Sequence, residues 1–132
     1  MSEAVDVEAR VVQCIAEALA RDASKVALDS NLMDELGAES LDFLDIVFRL
    51  EEAFGIQITR GEMERAARGD MSSDEFAPKG VISERGLERL RELMPEAAGR
   101  IKDGLRPGEI LRLFSVQTFV NIVRGKRDGR SI

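Results

Sequence analysis

Apolar residues near the start of the chain recur at helical spacing. Val7, Val11, Ile15, Ala18 and Leu19 follow at three- and four-residue steps, the signature of one buried helix face. They predict a first amphipathic helix over 6–20. Cys14 lies beside that stripe and reads as a small core residue; nothing nearby in sequence would lower its pKa for redox chemistry. Residues 21–38 break the pattern with Asp22, Ser24, Asp29, Ser30, Asn31, Asp34 and Gly37, while Leu28, Leu32, Met33 and Leu36 remain as apolar anchors. This predicts a long packed loop, a feature that in compact domains tends to carry function.

A second helix is expected over 39–54. Asp42, Asp45, Arg49 and Glu52 step by three, four and three and form one polar stripe. Apolar residues fill most of the remainder, from Leu41 and Phe43 to Phe54, with Glu51 as the exception. A helix this apolar is expected to be packed on more than one side. Gly55 offers the stop, Ile56–Ile58 a short extended link, and 60–67 a short third helix. Residues 68–82 are rich in turn formers. Ser83 can cap a helix carrying Leu87, Leu90, Leu93 and Met94, ended by Pro95. Residues 96–109 are interrupted by Gly99, Gly104, Pro107 and Gly108. Ser115 can cap a last helix with Val116, Phe119, Val120, Ile122 and Val123. The stretch from Arg124 to Ile132 is basic and is expected to fray. No internal repeat and no strand pair stands out.

Composition narrows the chemistry. The 132 residues are 44% apolar and 33% charged, which suits one folded domain better than disorder. Histidine is absent, so no Ser-His or Cys-His nucleophile pair and no HExxH zinc site can exist. A single cysteine leaves no internal disulfide and no Cys-rich metal cluster. The net charge of −6 argues against nucleic-acid binding, which needs clustered Lys and Arg. It is unevenly spread: residues 1–66 carry 15 acids and 6 bases, 67–112 nine of each, and 113–132 one acid and four bases. The acidic half points to partners of opposite sign, or to a solubilising surface. The acidic first residues do not read as a signal peptide, and no apolar run approaches the ~18–20 residues of a membrane span. The expected compartment is the cytoplasm.

The informative segment is Leu36-Gly37-Ala38-Glu39-Ser40-Leu41-Asp42. A loop closes on a glycine, then an acid, then a serine at the mouth of an apolar helix. A phosphate ester on Ser40 would meet the positive end of the helix dipole. Glu39 and Asp42 flank it and would repel a free phosphate, so the site suits a phosphate attached covalently. The alternative is ordinary N-capping by Ser40.

Taken in order, residues 6–66 resemble the acyl carrier proteins. Leu36–Asp42 is similar to that family's phosphopantetheine attachment motif, with Glu39 where the family usually has Asp. Leu50–Gly55 resembles the end of its second helix, and Ser115–Val123 its last. Ser40–Phe48 further resembles the specialised carriers that handle very long acyl chains for lipid A. Ser73–Phe76 and the helix after it resemble that subgroup's C-terminal extension.

The resemblance implies an all-α, four-helix acyl-carrier-like bundle with a partly helical insertion between the third and last helices. The core would be 6–66 and 113–124, the insertion 67–112 and the basic tail 125–132. It implies a monomeric carrier that is not itself an enzyme. Ser40 would receive 4′-phosphopantetheine from coenzyme A through a phosphopantetheinyl transferase that brings Mg²⁺ and the base. Acyl-loading and acyl-transferring enzymes of fatty acid or lipid synthesis would be the other partners, their basic patches docking on Glu39, Asp42, Asp45 and Glu52. Those four could equally form a solvated face. The insertion could enlarge or cover an acyl pocket, recognise partners, or only stabilise. Two rivals remain open: a carrier of aminoacyl or polyketide units, and an unmodified helical interaction protein.

Overall fold

The first apolar stripe forms the expected helix, α1 (Glu3–Leu19). The computed structural model describes residues 3–128, with side chains described for 7–59 and 61–128. On α1, Val7, Val11, Cys14, Ile15 and Ala16 are buried, while Ala18 and Leu19 are only half-buried. The buried face is thus rotated slightly from the expected stripe and takes in Cys14. Burial pushes the Cys14 thiol above its ordinary pKa, with the charges of Arg10 and Arg49 opposing and that of Glu17 adding to the rise, which suits an inert core residue. The helix stops where Ala20 turns left-handed (φ 55°) and the Arg21 N–H donates to the Ala16 carbonyl at 2.8 Å, a helix-ending turn usually made by glycine.

The helices after the loop are α2 (Ser40–Phe54), α3 (Arg60–Arg68), α4 (Ser73–Phe76), α5 (Glu84–Leu93) and α6 (Val116–Arg127). Four short 3₁₀ segments complete the order: Ala23–Lys25, Pro78–Gly80, Pro95–Arg100 and Pro107–Leu113. There is no strand among the described residues, only an isolated antiparallel bridge between Asn31 and Ser115. The architecture is an all-α bundle of the acyl-carrier kind. It divides into two compact units, residues 1–58 with 114–132, and residues 59–113.

In the first unit α1 packs on α2 and α6. Its centre is aromatic. The rings of Phe43, Phe114 and Phe119 meet pairwise with centroids 5.4–6.1 Å apart, within the range where edge-on contacts are favourable. The last helix is begun by Ser115, whose N–H donates to the Thr118 hydroxyl at 3.1 Å. It continues through Arg127, so fraying from Arg124 is corrected. Arg124 donates to the Glu8 carboxylate at 3.0 Å, and the Arg127 guanidinium lies 6.0 Å from the Phe54 ring; these contacts hold the last turn. Fraying expected of 129–132 falls outside the described residues.

In the second unit α3 and α4 each begin with a side-chain cap. The Thr59 and Ser72 hydroxyls accept from the Glu62 and Glu75 N–H groups, each at 3.1 Å. Leu87, Leu90 and Met94 are buried as the stripe predicts, and Leu93 only half so. Two arginines of α5 tie it down: Arg89 donates to the Ala66 carbonyl at 3.0 Å and Arg91 to that of Ile101 at 2.9 Å. The interrupted stretch 96–109 resolves largely into 3₁₀ turns because its prolines and glycines do not sustain an α-helix.

Gly86 on α5 opposes propensity to packing. Alanine is the better helix former by about 1 kcal/mol. Yet a Cβ there would stand 2.7 Å from the Ile82 side chain, 2.9 Å from the Phe76 ring and 3.0 Å from the Phe76 carbonyl. Packing should win. Gly86→Ala is expected to lower stability by about 1–3 kcal/mol, read as an earlier midpoint in urea unfolding.

Candidate functional site

The loop before α2 is built to hold one end of that helix. Leu32, Leu36 and Ala38 are buried. The Leu32 N–H donates to the Phe114 carbonyl at 3.0 Å, Val116 N–H to Ser30 at 3.1 Å, and Gln117 N–H to Leu28 at 2.8 Å. The loop is therefore stitched to the start of α6. Within it, the Asn31 side chain accepts the Asp34 N–H at 2.8 Å, and the Asn31 N–H donates to Glu35 at 3.0 Å. Gly37 takes the left-handed turn (φ 73°) that few other residues adopt cheaply. The Ala38 N–H closes the loop on the Leu32 carbonyl at 2.8 Å. Polar residues that interrupt the helical pattern thus serve as local backbone partners.

At the helix mouth the structure corrects the capping alternative. Glu39, not Ser40, is the N-cap, in extended conformation. Asp42, three residues on, accepts the Glu39 N–H at 2.8 Å, which is one arm of a capping box. Ser40 is the first helical residue, and its side chain is exposed. The first N–H groups of a helix have no intrahelical partners. The Ser40 hydroxyl is therefore presented to solvent at the positive end of a 15-residue helix. That arrangement fits a phosphate ester on the hydroxyl, with the acids beside it disfavouring a free anion.

The expectation that α2 is packed on more than one side is also corrected. At about 100° per residue, Phe43, Ile46 and Leu50 share one arc, and all three are buried. Leu41, Leu44 and Phe48 share an arc nearly opposite and are 74%, 68% and 57% exposed. Asp42, Asp45, Arg49 and Glu52 run between these two arcs. Their spacing brings the four polar residues onto one stripe, with Glu39 at its head. Glu39 and Glu52 are exposed, and Asp42 and Asp45 half-exposed. Asp45 is paired with Arg49, Nε to Oδ1 at 3.1 Å.

Sequence reasoning missed the exposed apolar residues. Their signal was present: positions 41, 44 and 48 form a second helical stripe, out of phase with 43, 46 and 50. Two apolar stripes on one helix leave open which is buried.

Other site types find little here. No group of three or more potential metal ligands occurs among the described residues. No described helix is long and apolar enough to cross a membrane. Whole-chain comparison finds no solved structure that matches. Residues 9–67, which span the loop, Ser40 and all of α2, match the family model of the phosphopantetheine attachment site, the type of domain on which 4′-phosphopantetheine is attached covalently.

Proposed function

We propose that the chain is an acyl carrier protein of fatty acid or lipid biosynthesis, with Ser40 as the residue that receives the arm. The observation that carries this reading is the exposed Ser40 hydroxyl on the first turn of α2, inside the matched stretch. The chain has no histidine to activate that hydroxyl, so the base comes from the transferase. Ser40 loses its proton to that base and its oxygen forms the new bond to phosphorus, while the nucleotide part of coenzyme A leaves. When bound, the arm supplies a thiol that carries an acyl group as a thioester. The helix N-terminus favours the phosphodiester's charge.

A carrier works by being handed between a transferase and other enzymes. Glu39, Asp42, Asp45 and Glu52 serve as the docking stripe for basic patches, and the neighbouring Leu41, Leu44 and Phe48 supply an apolar ridge. Apolar ridge and acidic edge together match how interfaces combine a desolvated centre with a charged rim. Asp42 has a second duty as a helix cap, so Asp45 and Glu52 are the cleaner positions for charge tests. The carrier core comprises 6–66 and 113–124, with 67–112 as an insertion suited to long or unusual acyl chains, as in the lipid A carriers that 40–48 resembles. On this reading the protein is a cytoplasmic monomer.

The test is loading. Pantetheinylated protein is offered fatty acyl donors of increasing length, aminoacyl donors and polyketide extender units, each with its own promiscuous loading enzyme. Intact mass should show fatty acyl uptake, extending to very long chains. Uptake of aminoacyl or polyketide units alone would overturn the lipid assignment while leaving the carrier intact. Failure of any arm to attach would favour a helical interaction protein.

A further inference from the structure

We propose that Arg49 determines which partners the α2 surface accepts, by holding Asp45 in an intrahelical ion pair that a docking cation must displace. The inference rests on the docking role given to that surface above.

The four acids of α2 are not equally available. Asp42 is taken by the Glu39 N–H at 2.8 Å, and Glu51 by the Ile58 N–H at 2.9 Å. Asp45 is taken by Arg49 at 3.1 Å. Glu52 is the one α2 acid without such a bond among the described residues. Arg49 is also the only base in the helix. Its order after Asp45, acid first and base four residues later, is the favourable one for such a pair. Both side chains remain partly in solvent, at 39% and 44% exposure, so the pair can open, at the modest cost typical of exposed ion pairs.

The pair lies beside the exposed ridge of Leu41, Leu44 and Phe48. A partner that seats on the ridge brings its rim charges against Asp45 and Arg49 together. A uniformly basic rim meets one masked acid and one repelling cation. The guanidinium therefore weakens broadly basic partners, an instance of specificity by a built-in repulsive element. The main chain of Arg49 has separate work, since its carbonyl accepts the Cys14 thiol at 3.9 Å. Changing the side chain leaves that contact in place, and glutamine is a comparable helix former.

The experiment measures kcat and KM of the full apo chain with a phosphopantetheinyl transferase of basic docking face and coenzyme A, at low salt. Arg49→Gln is expected to lower KM roughly two- to fivefold, the scale of an exposed pair, with kcat unchanged. The gain should fade near 0.5 M salt, where screening acts over about 4 Å. It should also shrink in the Asp45→Asn background, where only the guanidinium's repulsion is removed and no acid is unmasked. Arg106→Gln, which removes the same charge from an exposed position in the other unit, should leave KM unchanged. An equal gain in Arg106→Gln would reduce the effect to net charge and overturn the proposal. So would a gain that is undiminished in Asp45→Asn. If Asp45→Asn raises KM and Arg49→Gln does nothing, the proposal fails and the docking surface stands. If neither changes KM, the docking reading fails too.

Discussion

Ser40→Ala is expected to abolish pantetheinylation completely, with the fold unharmed. Apo protein incubated with a phosphopantetheinyl transferase and coenzyme A should gain the mass of one arm, and the alanine variant none. The clean separation of function from stability follows from the helix start. If Ser40 were the N-cap, its loss would cost about 0.5–2 kcal/mol. It is the first helical residue instead, with Glu39 capping and Asp42 holding the Glu39 N–H. Alanine is a good residue for that place, so the melting transition should move little, within the range of ordinary surface changes of about 0.5 kcal/mol. A variant that still gains the arm would shift the attachment to another hydroxyl. A native chain that gains nothing would remove Ser40 from the chemistry altogether.

Phe119→Ala should show the opposite profile, a large loss of stability at a position distant in role from the hydroxyl. Phe119 is fully buried and its ring meets those of Phe43 on α2 and Phe114 before α6, at 6.1 and 5.4 Å. Removing such a ring costs about 3–5 kcal/mol, a large part of the roughly 5–15 kcal/mol that holds a typical domain folded. Urea unfolding would read this as a much earlier midpoint. The loss should also be felt in the loop before Ser40, because Leu32 hydrogen-bonds to the Phe114 carbonyl and Val116 to Ser30. Amide exchange at Leu32 and Ala38 should accelerate with the global loss. Leu44→Ala is the contrast: it is 68% exposed, so stability should change by no more than about 0.5 kcal/mol. Equal losses at Phe119 and Leu44 would contradict the division of α2 into a buried and an exposed apolar face.

Much of the site is legible in the linear order of residues. The run Leu36–Asp42 places a serine after a glycine turn and an acid, and the polar stripe from Asp42 to Glu52 follows from spacing alone. The buried anchors Leu32 and Leu36 stand out in an otherwise polar loop. The status of Ser40 was harder to read, because Ser and acidic residues are both good caps and two of them adjoin. Only backbone conformation assigns the cap to Glu39. The masking of Asp45 was half legible, since acid and base four apart on a helix are within reach. Whether they close depends on what else faces them.

Sequence alone determined the helical class, the approximate extent of α1, α2, α5 and α6, and the Leu36–Asp42 run with its acids. These depend on local periods, turn residues and short-range spacing, which every chain displays in its order. Tertiary structure decided which apolar stripe of α2 is buried. Phe43 finds Phe114 and Phe119 across the first unit, while Leu41, Leu44 and Phe48 stay largely exposed. It also decided that the loop before Ser40 is pinned to the start of α6, more than 70 residues later in the chain. The physical reason is common to both. Burial is a property of what lies across from a side chain, and periodicity describes only the face on which that side chain sits.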